Sequence, residues 1–143
     1  MSCIFCDIIE RKAQAEIIYE DDSVISFLDI RPVNYGHALV IPKNHYKDFL
    51  SVPAEEMNKV IKVSQIIAEA VSNSLSTDGF NIVANNGTAA GQSVFHFHFH
   101  IIPRFNNDFT IKPKFKTYSS DVMREFGDQI RSFISKYKDI FNG

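Results

Sequence analysis

The sequence predicts an α+β fold, a mostly antiparallel sheet of five strands with one long helix and a C-terminal helix. Three observations predict it. Short strand-like runs are closed by Gly, Pro, Asn or Asp, two longer stretches carry apolar residues at helical spacing, and strands do not alternate with helices as βαβ units would.

In chain order, Cys3 to Arg11 is short and sets Ile4, Phe5, Ile8 and Ile9 at roughly helical spacing. Ile17 to Glu20 and Val24 to Asp29 read as strands joined by the turn Asp21-Asp22-Ser23. Pro32, Asn34 and Gly36 make Arg31 to Gly36 a loop. Ala38-Leu39-Val40-Ile41, a continuous apolar run ending at Pro42, predicts a buried strand. In the long helix that follows, Pro53 suits the first turn, and Glu55 and Glu56 complement its dipole. Met57, Val60, Ile61, Ile67, Ala68, Val71 and Leu75 mark one apolar face. Val63 and Ile66 widen that face enough to meet two surfaces, the sheet and a second subunit. Thr77-Asp78-Gly79 ends the helix. Phe80 to Ala84 is a strand, Asn85 to Gly91 a polar loop, and Val94 to Ile102 the last strand, closed by Pro103. Beyond a loop with Asn106, Asn107, Asp108 and Pro113, the C-terminal helix carries Val122, Phe126, Ile130, Phe133, Ile134, Tyr137 and Phe141 at helical spacing.

The length of 143 residues and the 45% hydrophobic content suit a single domain, 1–143, with a core region 3–104 and a C-terminal loop and helix 105–143. No run approaches the ~18 apolar residues of a membrane span. Met-Ser-Cys-Ile-Phe-Cys has neither the basic nor the apolar part of a secretory signal, so a cytoplasmic protein is expected. A net charge of −2 speaks against broad nucleic-acid binding and leaves room for a small phosphorylated ligand. Cys3 and Cys6 are the only cysteines. In a reducing compartment they read as free thiols or, through their C-x-x-C spacing, as a metal-binding pair.

The most informative segment is the last strand. Side chains alternate across a strand, so Val94, His96, His98, His100 and Ile102 share one face. Phe95, Phe97, Phe99 and Ile101 share the other, which is expected to be core. Neighbouring imidazoles would stand about 6–7 Å apart. Such a row could hold one metal ion, face solvent without a role, or act on phosphate. Neutral imidazole is a nucleophile at pH 7, and imidazolium donates two hydrogen bonds to phosphate oxygens. Gly91-Gln92-Ser93 just before the row offers close backbone approach, an amide and a hydroxyl, and Asn85 offers a further polar group.

His96-Phe97-His98-Phe99-His100-Ile101-Ile102 resembles the signature of the histidine triad (HIT) family, His-x-His-x-His-x-x with x apolar, and Gly91-Gln92-Ser93-Val94 resembles the segment leading into it. The resemblance extends back through Phe27-Leu28-Asp29-Ile30-Arg31-Pro32, Gly36-His37 and Val40-Ile41-Pro42-Lys43-Asn44-His45, covering about residues 3–104. It implies a HIT-like fold. Gln92 and the overall length resemble the nucleoside-phosphoramidase branch.

By that resemblance His98 is the nucleophile, attacking the α-phosphorus to give a covalent nucleotidyl-imidazole that water then hydrolyses. His100 assists at the phosphate or leaving group, and His37 and Ser93 stabilise the phosphoryl group. Asp29 would bridge the ribose hydroxyls, with Asn85, Gly91 and Gln92 near sugar and phosphate. Phe5, Ile8, Phe27 and Ile30 would line the purine pocket. Some family members hold a structural zinc through residues matching Cys3, Cys6, His45 and His96, a Cys₂His₂ set that suits tetrahedral zinc. That would withdraw His96 from chemistry.

The implied activity is hydrolysis of adenosine 5'-phosphoramidate to AMP. A dinucleoside polyphosphate hydrolase would use the same nucleophile. Two readings from other classes are a nucleotide-binding regulatory module and a zinc metallohydrolase using all three strand histidines. A homodimer is implied, with no nucleic-acid or membrane partner. Lys112, Lys114 and Lys116, alternating with Ile111, Pro113 and Phe115, read as a solvated basic loop or as a selector of anionic leaving groups.

Overall fold

The computed structural model describes residues 2–108 and 113–141, the last four as backbone only. Ile111 and Lys112 lie outside the described residues. The chain divides into two compact units, Met1–Phe109 and Thr110–Gly143.

The first unit opens with helix α1 (Ile4–Ile9) and continues through strands β1 (Ile17–Glu20), β2 (Val24–Leu28) and β3 (Ala38–Pro42). Helix α2 (Ala54–Leu75) then leads to β4 (Gly79–Val83) and β5 (Phe99–Arg104). The strands form one antiparallel sheet of five, ordered β1-β2-β3-β5-β4. The expected α+β architecture is therefore the observed one. The second unit contains helix α3 (Ser120–Phe141).

The turn Asp21-Asp22-Ser23 forms because Asp21 Oδ1 accepts from the amides of both Ser23 and Val24, at 2.8 Å each. In β2 and β3 the residues alternate between two clusters. Val24, Ala38 and Val40 pack toward α2, where Val60, Val63, Ile67, Ala68 and Val71 meet them with Phe97 and Ile101. Ile25, Phe27, Leu39 and Ile41 pack on the opposite face with Phe5 and Ile8 of α1. Both faces of the central strands are thus covered. Ser26, fully buried, escapes the desolvation penalty by donating to the Leu39 carbonyl at 2.7 Å.

Three expectations are corrected. Pro53 is the cap before α2 rather than part of its first turn. On α2, Val63 belongs to the single core stripe, whereas Ile61 and Leu75 are exposed along with Ile66. The largest correction is at the histidines. The expected strand Val94 to Ile102 begins only at Phe99 and runs through Pro103 to Arg104. The β3–β5 register ends at Val40 opposite Phe99. Two further steps would set Ile41 against His98 and then Pro42 against Phe97, and Pro42 has no N–H for the ladder. Phe97 instead donates its amide to the Tyr46 carbonyl at 2.6 Å. The face-by-face alternation therefore fails at Phe95, which is exposed, with Lys47 Nζ 5.9 Å from its ring centroid. At the other end the β3 ladder stops at Ile101, so Pro103 pairs with β4 alone, a position that tolerates its missing donor.

Candidate active site

His96 and His98 precede the ladder while His100 lies within it, and the three histidines meet different partners. His98 is buried, and its Nδ1–H donates to the backbone carbonyl of His96 at 2.7 Å. That bond assigns the tautomer and leaves the Nε2 lone pair open. Phe5 of α1 buttresses the ring edge-on, with centroids 5.0 Å apart. Burial pushes the His98 pKa below the ordinary imidazole value, against the opposing pull of the His96 carbonyl and the Asp29 charge. The ring is therefore neutral at pH 7, the form a nucleophile requires.

His100 lies on β5 and meets His37, which follows the Gly36 turn at the start of β3. The Val33 amide donates to His37 Nδ1 at 3.1 Å, so His37 carries its proton on Nε2. That proton is donated to His100 Nδ1 at 2.9 Å, which places the His100 proton on Nε2. One backbone amide thus sets both tautomers and leaves His100 Nε2–H as a donor. Burial and the neighbouring His98 and His37 push His100 down to about 4, and burial also lowers His37. Asp29 Oδ2 stands 3.7 Å from His37 Nε2 and 4.0 Å from His100 Nδ1, near enough for charge and too far for a hydrogen bond. Asp29, His37 and His100 lie close enough to suggest a metal site. The proton on His37 Nε2 removes one of the three ligands.

His96 faces elsewhere. Its Nδ1 is 3.6 Å from Cys3 Sγ, 3.6 Å from Cys6 Sγ and 3.2 Å from His45 Nδ1, and Cys6 Sγ is 3.4 Å from His45 Nδ1. Zinc bonds of about 2.3 Å to sulfur and 2.0–2.1 Å to nitrogen, at tetrahedral angles, put S···N pairs about 3.6 Å and N···N pairs about 3.3 Å apart. The four side chains therefore fit a tetrahedral cation with little rearrangement. His96 Nε2–H donates to the Pro42 carbonyl at 2.8 Å, which keeps Nδ1 unprotonated and aimed, as metal-bound imidazoles are normally held. Burial lowers His96 to about 4, so it is neutral as a ligand must be. With His96, His98 and His100 oriented toward different partners, they do not form one shared metal site.

A family model described as the HIT domain matches residues 10–107. The chain belongs to the HIT family. An uncharacterized HIT-like protein of Methanocaldococcus jannaschii is 51% identical over 106 residues, 74% of this chain and 81% of that protein. Adenylylsulfatase HINT3 of Arabidopsis thaliana is 40% identical over 106 residues, 74% of this chain and 54% of that protein. Among solved structures, a Zn-bound histidine triad family protein from Mycobacterium smegmatis is 41% identical, with a TM-score of 0.72 over 92% of this chain and 97% of that one. A histidine triad nucleotide-binding protein from Candida albicans is 27% identical, with a TM-score of 0.84 over 94% of this chain and 99% of that one.

In this HIT domain the remaining expected site residues separate into several places. Gln92 is buried. Its carbonyl accepts from the Gly87 amide at 2.9 Å, and its amide donates to the Lys47 and Val94 carbonyls at 2.8 and 3.2 Å. It therefore ties the loop before the histidines to Lys47. Gly91 has φ +92°, and Asn85 lies beside it. Ser93 is exposed and lines a cavity of about 1250 Å³ with Cys3, His45, Lys47 and Phe95. Phe5, Ile8 and Phe27 pack together, buried. Ile30 is not with them: it is 88% exposed and lines a separate depression with Arg11 and Ala13 to Ile17. The groups missed in the sequence are backbone ones, the Val33 amide and the His96 and Pro42 carbonyls. A main-chain atom has no letter in a sequence, so no signal could have found them.

Proposed function

We propose that this protein is a nucleotide hydrolase or transferase acting on the α-phosphate of purine nucleotides through a covalent nucleotidyl-His98. The observation that carries this is the bond from His98 Nδ1–H to the His96 carbonyl, which leaves a buried, neutral Nε2 as the free nucleophile. A purely binding module has no use for that arrangement. Nε2 forms a bond to phosphorus as the bond to the leaving group breaks, and the leaving group departs with its electron pair. His100 Nε2–H is the donor assigned to the phosphoryl oxygen or departing atom. Water then attacks phosphorus, releasing the nucleoside monophosphate and restoring His98.

Adenosine 5'-phosphoramidate, giving AMP, is the substrate we favour. Asp29 beside the histidine pair suits a ribose diol, since a carboxylate accepts from two hydroxyls. Cys3, Cys6, His45 and His96 would hold a structural zinc, whose contribution is to tie α1 to the segment before β5. Two copies would pair through the β4 sheet edge, where Phe80, Ile82 and Val83 are exposed, and through the outer α2 residues Ile61 and Ile66. The site calls for a soluble nucleotide. No helix among the described residues is long and apolar enough to cross a membrane.

The test is turnover of adenosine 5'-phosphoramidate beside diadenosine polyphosphates and adenylyl sulfate, with intact-mass measurement of an acid-labile, base-stable adduct after a rapid alkaline quench. His98→Ala should remove the nucleotidyl adduct and lower kcat by more than about 10⁴-fold with the fold intact. A fully active His98→Ala protein would sink the proposal.

A further inference from the structure

The loop 29–37 turns an asparagine inward at its tip. Val33 and Tyr35 are 54% and 89% exposed, so apolar burial does little to hold this tip in place. Asn34, half-buried between them, reaches back to the end of β5. Its Nδ2 donates to the Pro103 carbonyl and to Asp108 Oδ2, at 2.8 Å each. Both partners are acceptors, so the amide nitrogen faces them and both of its protons are used. Asp108 is itself held, since Oδ2 also accepts from the Phe105 amide at 2.9 Å and Oδ1 lies 3.7 Å from the Arg104 guanidinium.

The main chain around Asn34 grips His37. The Asn34 carbonyl accepts from the His37 amide at 3.0 Å, and the Val33 amide donates to His37 Nδ1 at 3.1 Å. The second bond decides which way the protons run. His37 and His100 share a single hydrogen bond of 2.9 Å. That bond survives if both rings move their protons to Nδ1, with His100 then donating and His37 accepting. In the reversed order His100 Nε2 is bare and cannot donate to a phosphoryl oxygen. Asp29 does not choose between the two orders. Its Oδ2 is 3.7 Å from His37 Nε2 and 4.0 Å from His100 Nδ1, and so meets the shared proton from either side. The Val33 amide does choose, because one N–H cannot donate to another.

We propose that Asn34 is a positioning residue, anchoring the Val33 amide so that the His37–His100 pair keeps a proton on His100 Nε2. Asparagine suits the place because one short group must donate twice, whereas Asp donates nothing and Ser donates once. The use of this anchor in catalysis rests on the nucleotidyl-His98 reading, and its effect on the two rings does not.

The test removes the donors without adding charge. The full chain and its Asn34→Leu variant, both ¹⁵N-labelled, are compared by long-range proton–nitrogen correlation of the imidazoles without substrate, at about pH 7.5, where neutral rings dominate. The unaltered chain should show the Nε2–H pattern for His37 and His100. Asn34→Leu should bring Nδ1–H into both rings. Its kcat on adenosine 5'-phosphoramidate should fall about tenfold at little-changed KM, a smaller loss than that of His37 itself. Asp108→Ala, which takes away one acceptor, should move the rings the same way, whereas Asp108→Asn keeps an oxygen for Asn34 and should restore them. That second comparison decides the matter if Asn34→Leu does not fold. Rings that hold Nε2–H in both Asn34→Leu and Asp108→Ala would overturn the proposal, and a lowered Tm beside them would make Asn34 a support of the loop alone. Converted rings at unchanged kcat would overturn its part in the reaction. An unaltered chain that forms no nucleotidyl adduct would overturn the catalytic reading instead, with the ring assignments read independently of it.

Discussion

At the residue scale, the chemistry rests on which ring nitrogen carries a proton. Burial lowers His37, His98 and His100, so all three stay neutral as pH falls past the ordinary imidazole midpoint of about 6.5. The acid limb of kcat/KM should therefore lie below pH 6.5, measured as initial rates at constant ionic strength. His37→Ala should lower kcat by about 10²-fold, with a smaller change in KM, because His100 loses the donor that sets its tautomer. An equal rise in KM at unchanged kcat would instead make His37 a substrate contact. His98 and His100 were legible in the sequence because their spacing is rare and specific. The Val33 amide was not, although it assigns both tautomers of the pair.

At the scale of elements, most of the sheet was readable to within a residue or so, since β1 to β4 follow from apolar runs punctuated by turns. The start of β5 was not. Period-two reasoning extends a strand for as long as the pattern lasts, and the pattern Phe-His-Phe-His-Phe-His continues through 95–100. What stops the ladder is tertiary: Pro42 on the neighbouring strand, the Tyr46 carbonyl, and the cysteines that draw His96 aside. The element most dependent on this cluster is α1, six residues long and too short to hold itself. Cys6→Ser should lower the Tm by about 5–10 °C, equivalent to some 2–3 kcal/mol for a chain of this size. Chelation of the loaded protein should reproduce the shift in a thermal melt, and re-addition of zinc should reverse it only with Cys6 present.

For the molecule as a whole, the buried histidines predict how stability responds to acid. The folded pKa of His100 is about 4, and that of His37 is also lowered, so between about pH 6.5 and 4 the unfolded chain binds more protons than the folded one. Stability should therefore be fully present above pH 6.5 and decline as pH falls toward 4. Denaturant midpoints across that range test the sign, and His100→Gln should flatten the slope. The two layers against the sheet face separate demands, Phe97 and α2 on one side and α1 with its cysteines on the other. Phe97→Ala, opening a cavity in the first, should cost about 3–5 kcal/mol in the same assay. His96 is fully buried beside the cysteines, and its two attachments differ in kind. Its ring serves the Cys3, Cys6 and His45 cluster, while its carbonyl serves His98. Any amino acid supplies a carbonyl. A lineage could therefore abandon the cysteines, replace the imidazole at position 96 and still keep the His98 proton on Nδ1, so that the proposed zinc site and the proposed nucleophile are free to evolve apart.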